Sequence, residues 1–501
     1  MAKDKPRIHV VFIGKPQWEA GWPYLGHDPG NIQGVIMDRL GKQFTNVEFS
    51  KSDLIATYDK NLNESIKGRI DQADALVICT IGHYGDPGLI TSGIDILKHR
   101  RLPVILANIV YHGDHTFTKL YTSIKDEGLQ VYPVSSKEIA DFDSAIGLLC
   151  KLLALKGERV IVYASDSREM DWNRISELLA PEISKIAKTS PEFLDQVSKL
   201  RDTKFEFYTD LDGLDQAHQW RKDEKGYSRT VEAMLGVRIQ RNDPADILQA
   251  YDATSDDEAK PIAAKWHDLA LVTEPVPQTI VNSARLYLAL KRLLDKDGAR
   301  FVAPDCGTLL LIGRMPAYPC MGFFEMSNEG YHGICESDLD AAISYMIGWA
   351  LTGGLPGFVS NHAFDFTNNQ VTYMHCVAPR CPQGRDKPRA DFEIVHHGET
   401  GIIGASPRVK YPVGEPLTTI KVSVFERKMA LYFGKIVRNS NEKGGCVTKV
   451  VVQVKDARGM LERYNWPAFG WHRVSFVGDW RDDFRTAARL LGLQLVDYSD
   501  L

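Results

Sequence analysis

The sequence predicts an α/β protein: two parallel-sheet domains of flavodoxin-like or Rossmann-like type, followed by a β-rich, barrel-like C-terminal domain. Three observations lead there. The chain has 501 residues, more than the ~250–300 that one hydrophobic core usually serves. Its earlier part alternates apolar runs with helix-length amphipathic segments, the pattern of a parallel sheet covered on both faces. Beyond about residue 361 short β-branched runs separated by Gly and Pro turns take over, which reads as antiparallel structure.

The elements follow in order. Residues 8–14 form a strand candidate, and 16–30 a loop rich in Trp, Pro and Gly. The runs 47–49, 75–82, 103–109 and 129–133 are the next strands, with helical patterns such as 31–43 and 144–156 between them. A second unit opens with strand 159–163 and its loop 166–172. Helical segments then cover 182–202, continuing to 225, and 230–235 and 244–251. Strand 269–274, a long helix 278–295, and strands 300–305 and 332–336 complete this unit. Strands 371–374, 391–396, 418–424 and 447–454 build the last one, closed by helix 482–491 and strand 493–497. Domains of 1–156, 157–355 and 356–501 follow, the second carrying a carboxylate site.

Composition excludes more than it names. The chain is 44% hydrophobic and 25% charged, ordinary globular values that rule out collagen, coiled coil and wholesale disorder. Sixty Lys+Arg against 65 Asp+Glu give a net charge of −5, which argues against nucleic-acid or membrane-surface binding. The N-terminus enters a strand pattern directly, without a signal-peptide h-region. The apolar stretch 341–355 carries Ser344, Tyr345 and Thr352 and falls short of the ~18 apolar residues that a membrane span requires. Eight Cys without a regular framework suit reduced thiols in the cytoplasm. No GxGxxG, P-loop, GxSxG or HExxH motif occurs, and Cys376 and Cys381 have no second Cys pair to make a structural zinc site.

Chemistry concentrates in 320–340. A strand-like run ends in Glu336-Ser337-Asp338 just before a helix opens at about Leu339. Two carboxylates at a strand's carboxyl end can bind a hard divalent cation or move protons; Asp338 or Ser337 can equally be the helix N-cap. His375 ends another strand, followed by a loop with Arg380, Arg385, Lys387 and Arg389, most simply a solvated charge run. His472 lies in Phe469-Gly470-Trp471-His472-Arg473, where the aromatic neighbours can form a sugar-stacking wall or an ordinary hydrophobic turn. In the first unit, the loops after Ile13, Ile81 and Ile109 carry Trp18, His83, Tyr84, Asp86, His112 and His115, where ligands of parallel sheets bind.

At these residues the chain resembles the L-fucose/L-arabinose isomerase superfamily, in its fucose-isomerase-like branch. The likeness rests on three blocks in order. The first is Pro319-Cys320, Ser327-Asn328-Glu329-Gly330 and Cys335-Glu336-Ser337-Asp338, followed by an apolar helix and Leu351-Thr352-Gly353-Gly354. The second is His375-Cys376 with Pro379, and the third Gly470-Trp471-His472-Arg473, Phe476-Val477-Gly478-Asp479 and Phe484-Arg485-Thr486-Ala487-Ala488-Arg489. Together they cover about the last 180 residues.

The resemblance implies an aldose–ketose isomerase working through an enediol with a divalent metal, typically Mn²⁺. It implies a cytoplasmic homo-oligomer, a trimer or hexamer, taking a small-molecule sugar and neither nucleic acid nor membrane. Asp338 and His472 resemble metal ligands of the family, and Glu336 and Asp338 are the expected catalytic carboxylates, with Glu336 also at the metal. Trp18, His83, Tyr84, His375 and Trp471 are expected to contact the sugar. One departure stands out: Cys320 occupies roughly the place where L-fucose isomerases put a metal-binding, catalytic Glu. The base role then passes to Glu325, Glu329 or Glu336, with Glu336 first because it shares a strand end with Asp338. A sugar-binding regulatory homologue that has lost the base, or an epimerase or lyase using the same enediolate, are the alternatives.

Overall fold

The computed structural model describes residues 5–15, 22–82, 84–166, 169–189, 191–192, 195 and 216–499. It is α/β, with two parallel sheets flanked by helices and a β-rich C-terminal part. The chain divides into two compact units. One comprises Met1–Gly157 with the short pieces Ala233–Gly236 and Asp482–Leu495; the other holds Glu158–Glu232, Val237–Arg481 and Val496–Leu501.

The first unit is built on five parallel strands: β1 (Arg7–Ile13), β2 (Glu48–Lys51), β3 (Ala75–Thr80), β4 (Val104–Ile109) and β5 (Tyr132–Ser136), in the order β2-β1-β3-β4-β5. This is the flavodoxin-like doubly wound order, whose direction reverses between β1 and β3. Every residue of β3 is buried, so Val11, Ile13, Ile78 and Leu106 meet Leu89, Leu120 and Ile124 of the covering helices in one core. Helix starts are fixed by acceptors on short side chains: Asp59 takes the N–H groups of Asn61 and Leu62, and Asp28 that of Gly30. The fifth strand sits three residues beyond its expected start, because Leu129 packs on the core from the preceding turn instead.

The second unit opens with four parallel strands, β6 (Arg159–Tyr163), β7 (Arg238–Asn242), β8 (Phe301–Pro304) and β9 (His332–Gly333), ordered β7-β6-β8-β9. The 21-residue helix Pro277–Asp297 ends at Gly298, whose φ of 60° lets the chain reverse into β8. Two expectations need correction here. The run 269–274 is not a strand: Leu269 ends a helix, and the residues after it lie beside 392–394 through three backbone hydrogen bonds and the isolated bridge Thr273↔Ile394, with Leu271 60% and Val272 48% exposed. The strand expected over 332–336 stops after two residues, because Glu336 and Ser337 take φ values of 59° and 47°, outside any ladder.

The remainder of this unit is antiparallel. Strands β10 (Phe358–Asp365), β11 (Gln370–His375), β14 (Pro416–Ser423), β15 (Lys428–Asn439), β16 (Thr448–Gln453) and β17 (Arg473–Val477) run in the order β14-β17-β10-β11-β16-β15, and β14 also pairs with β15. The ring therefore closes, which removes the exposed edges of those six strands. Strands β12 (Phe392–Val395) and β13 (Ser406–Val409) form a separate hairpin. Closure needs β15 to bend, and its register shifts between Ile436 and Arg438.

The apolar stretch singled out in the sequence is the buried helix Leu339–Leu351; no helix among the described residues is long and apolar enough to cross a membrane. This helix is stitched to β14: Ser344 Oγ accepts the N–H of Val422 at 2.7 Å, and Asp340 accepts that of Val424 at 3.1 Å. Gly348 gives it room, since a Cβ there would lie 2.1 Å from the Phe476 ring of β17. Gly348→Ala is expected to destabilise the protein by about 1–3 kcal/mol, the usual cost of overpacking, read as a lowered urea midpoint at unchanged slope.

Candidate functional site

The site begins where β9 stops. Two consecutive left-handed residues without a glycine cost of order 1–3 kcal/mol each, and the surroundings hold them in place. Trp220 Nε1 donates to the carbonyl of Ser337 at 2.9 Å, and the backbone N–H of Glu336 donates to Cys306 Sγ at 3.4 Å. The turn leaves the Glu336 side chain 30% exposed and delivers Asp338, 0% exposed, to the start of helix Leu339–Leu351.

Asp338 is saturated. Its Oδ1 accepts the N–H of Ala341 at 2.8 Å, so it is the helix N-cap. Its Oδ2 accepts Lys421 Nζ at 2.6 Å and faces His472 Nδ1 at 3.1 Å. Lys421 reaches in from β14 and is itself 0% exposed. Burial works to raise the Asp338 pKa, but Lys421 and His472 outweigh it and hold the carboxyl well below the usual range. One oxygen caps the helix and the other joins Lys421 to His472.

Two histidines meet this network from the closed ring of strands. Strand β10 runs between β11 and β17, with Asn361 opposite Met374 and Ser360 opposite Arg473. His375 at the end of β11 and His472 at the head of β17 are thereby set side by side, Nε2 to Nε2 at 3.3 Å. Glu336 Oε2 lies 3.6 Å from His472 Nε2. One donor atom from each of Glu336, His375 and His472 thus falls within 4.8 Å of the others.

The tautomers follow from the neighbours. A carboxylate only accepts, so His472 carries its proton on Nδ1 toward Asp338 and leaves a lone pair on Nε2. The N–H of Cys376 donates to His375 Nδ1 at 2.9 Å, which puts the proton of neutral His375 on Nε2, facing that lone pair. Burial, then the neighbouring His472, pushes the His375 pKa down to about 3, so this ring stays neutral. Burial raises the Glu336 pKa against the pull of His472.

This donor set fits a divalent cation. A carboxylate behind a histidine, fixing its tautomer and leaving Nε2 bare, is the usual outer support of a metal-binding imidazole. Spacings of 3.3 and 3.6 Å match bonds of about 2.1 Å to one ion. His375 can offer Nε2 as a third donor only as its other tautomer, with the proton moved to Nδ1 and the Cys376 N–H turned away from it.

The other residues singled out in the sequence lie as follows. Trp471 flanks His472, ring centroids 6.0 Å apart. Tyr84, 47% exposed, is in the first unit with its ring 5.4 Å from that of His115. Trp18 and His83 fall outside the described residues. Of the three candidate glutamates, Glu325 is bound to Lys265 at 2.6 Å and Trp266 Nε1 at 3.1 Å, and Glu329 to Lys291 at 2.5 Å; Glu336 is the one in the donor set. Cys320 is buried against His397, and Arg385, Lys387 and Arg389 are exposed, as a solvated loop would be. Lys421 was not singled out, although a lysine inside the run Thr418-Thr419-Ile420-Lys421-Val422 signals a buried partner for its charge.

No protein-family profile matches the chain. Among curated proteins, it is similar to a sulfoquinovose isomerase of Clostridium sp. (strain MSTE9), 24% identical over 290 residues. The match spans 54% of this chain and 62% of that relative's length.

Two outcomes test the electrostatics. Lys421→Met strands the Asp338 charge in the interior and is expected to cost about 3–5 kcal/mol, measured by urea unfolding. In unfolded chain His375 takes a proton near pH 6.5, whereas in the fold it resists protonation down to about pH 3. Stability is therefore complete above pH 6.5 and is lost as pH falls toward 3. The expected slope is about 1.4 kcal/mol per pH unit for this proton, and urea titrations from pH 7 to 4 should show it diminished in His375→Gln.

Proposed function

We propose that this chain is a cytosolic, divalent-metal-dependent aldose–ketose isomerase that interconverts small sugars through an enediol. The observation that carries the reading is the convergence of Glu336, His375 and His472, with the lone pair of His472 fixed by Asp338. The likeness to a sulfoquinovose isomerase supports it, as do eight free, buried thiols.

Glu336, His472 and His375 would hold the ion, Mn²⁺ in the first instance. When bound, it supplies Lewis acidity that makes the hydrogen next to a sugar carbonyl removable. Glu336 carries that proton between C1 and C2. Its partial exposure leaves the substrate access. Asp338, expected beforehand among the catalytic and metal-binding carboxylates, acts on this reading through His472, whose ring it orients; Lys421 keeps Asp338 ionised. Trp471 offers an apolar face beside the imidazole on which a sugar ring can lie. The chain is further proposed to assemble as a trimer or hexamer in which Trp18, His83 and Tyr84 of a neighbouring copy wall the sugar.

The test is turnover of a panel of aldoses and ketoses, neutral, phosphorylated and sulfonated, by Mn²⁺-supplied protein in D₂O. Isomerisation with deuterium entering at C1 or C2 is the expected result, lost on chelation and regained with Mn²⁺. Glu336→Gln should lower kcat by about 10²- to 10⁴-fold, the range of general acid–base catalysis. A panel with no turnover and no exchange would sink the reading.

A further inference from the structure

A second carboxylate lies buried beside the Glu336 turn with one oxygen that no hydrogen bond among the described residues reaches. Asp305 follows β8 directly, and β8 is the strand beside β9, so both carboxyl ends open on the same side. Asp305 is 1% exposed. It stands at the N-cap position of helix Cys306–Leu311, yet its side chain makes no capping bond; its backbone carbonyl takes the N–H of Leu309 instead. No hydrogen bond among the described residues reaches its Oδ2. The nearest cations are held at a distance: His218 Nε2 at 3.6 Å from Oδ1 and Arg221 Nη1 at 3.9 Å from Oδ2. Burial works against its charge, but His218, Thr308 and Arg221 outweigh burial and keep the carboxyl below its ordinary range.

A buried carboxylate with an unused oxygen is expensive to maintain for stability alone. Its position says what it lies against. Cys306 receives the N–H of Glu336, a Cβ at Gly307 would lie 4.0 Å from Glu336 Cγ, and Asp305 and His218 both act on Glu336 through space. The 305–307 segment therefore packs directly against the Glu336 turn.

We infer that Asp305 is a substrate-binding residue, its Oδ2 accepting a hydrogen bond from a hydroxyl of a linear polyol, with His218 and Arg221 as positioning residues. Resting on the isomerase reading, this places the recognised hydroxyl one or two carbons beyond the reacting pair, on O3 or O4, since neighbouring strands lie about 4.8 Å apart. A carboxylate accepts and never donates, so the partner must be a hydroxyl; a sulfonate or phosphate group is excluded from this position by charge.

The inference is tested by affinity, so it stands or falls apart from turnover. Calorimetry on the Mn²⁺-supplied full chain would compare D-glucitol, galactitol and a 6-sulfonated D-glucitol with their 3-deoxy and 4-deoxy counterparts. Loss of one of these hydroxyls should weaken binding by about 10- to 100-fold, as expected for a hydrogen bond to a charged group. Asp305→Asn should bind parent and deoxy ligands nearly alike. The deoxy series needs no variant, so a poorly folding Asp305→Asn leaves the wild-type comparison decisive. Equal affinity of wild type for parent and deoxy ligands, binding of none of them, or an Asp305→Asn variant that still discriminates would each overturn the assignment.

Discussion

The carboxylate of Asp338 ties the site together. It joins a helix N-terminus, a lysine from a strand and an imidazole from another strand, all cut off from water. In such surroundings each partner makes the others affordable: the ammonium offsets the desolvation of the carboxylate, and the carboxylate then has an oxygen left to aim His472. Remove the charge balance and the tautomer of His472 is no longer fixed. The donor set beyond it depends on that one proton position.

The architecture explains how residues so distant in sequence reach one point. Glu336 comes from the end of a parallel sheet, and His375 and His472 from a closed antiparallel ring. Parallel sheets present ligands at strand carboxyl ends, and a closed ring holds side chains of non-neighbouring strands at fixed spacing. Helix Leu339–Leu351 links the two, capped by Asp338 and bonded to β14 through Asp340 and Ser344. The helix that follows the Glu336 turn is thus also bonded to the strand that carries Lys421.

Much of this is legible in the chain before it folds. Alternating apolar runs give the parallel sheets, because buried strands such as Ala75–Thr80 show no polar alternation. Glu336, His375 and His472 stand out as polar residues at the ends of β runs. What is not legible depends on long-range pairing. Nothing local says that Asp338 spends Oδ2 on a lysine 83 positions away. The shortness of β9 is hidden too: Ile334 and Cys335 look like strand, and only the tertiary holds from Trp220 and Cys306 keep Glu336 and Ser337 left-handed. Asp305 looks like one more helix cap until its oxygen is found unused.

The eight cysteines offer one more consequence. All are free and all are buried, distributed from Cys79 in the first sheet to Cys446 beside the closed ring. A thiol shielded from solvent cannot meet an alkylating reagent until its surroundings open. The protein therefore carries eight internal clocks, each started by the opening of its own neighbourhood. The order in which they become reactive records the sequence in which the first sheet, the site and the ring come apart.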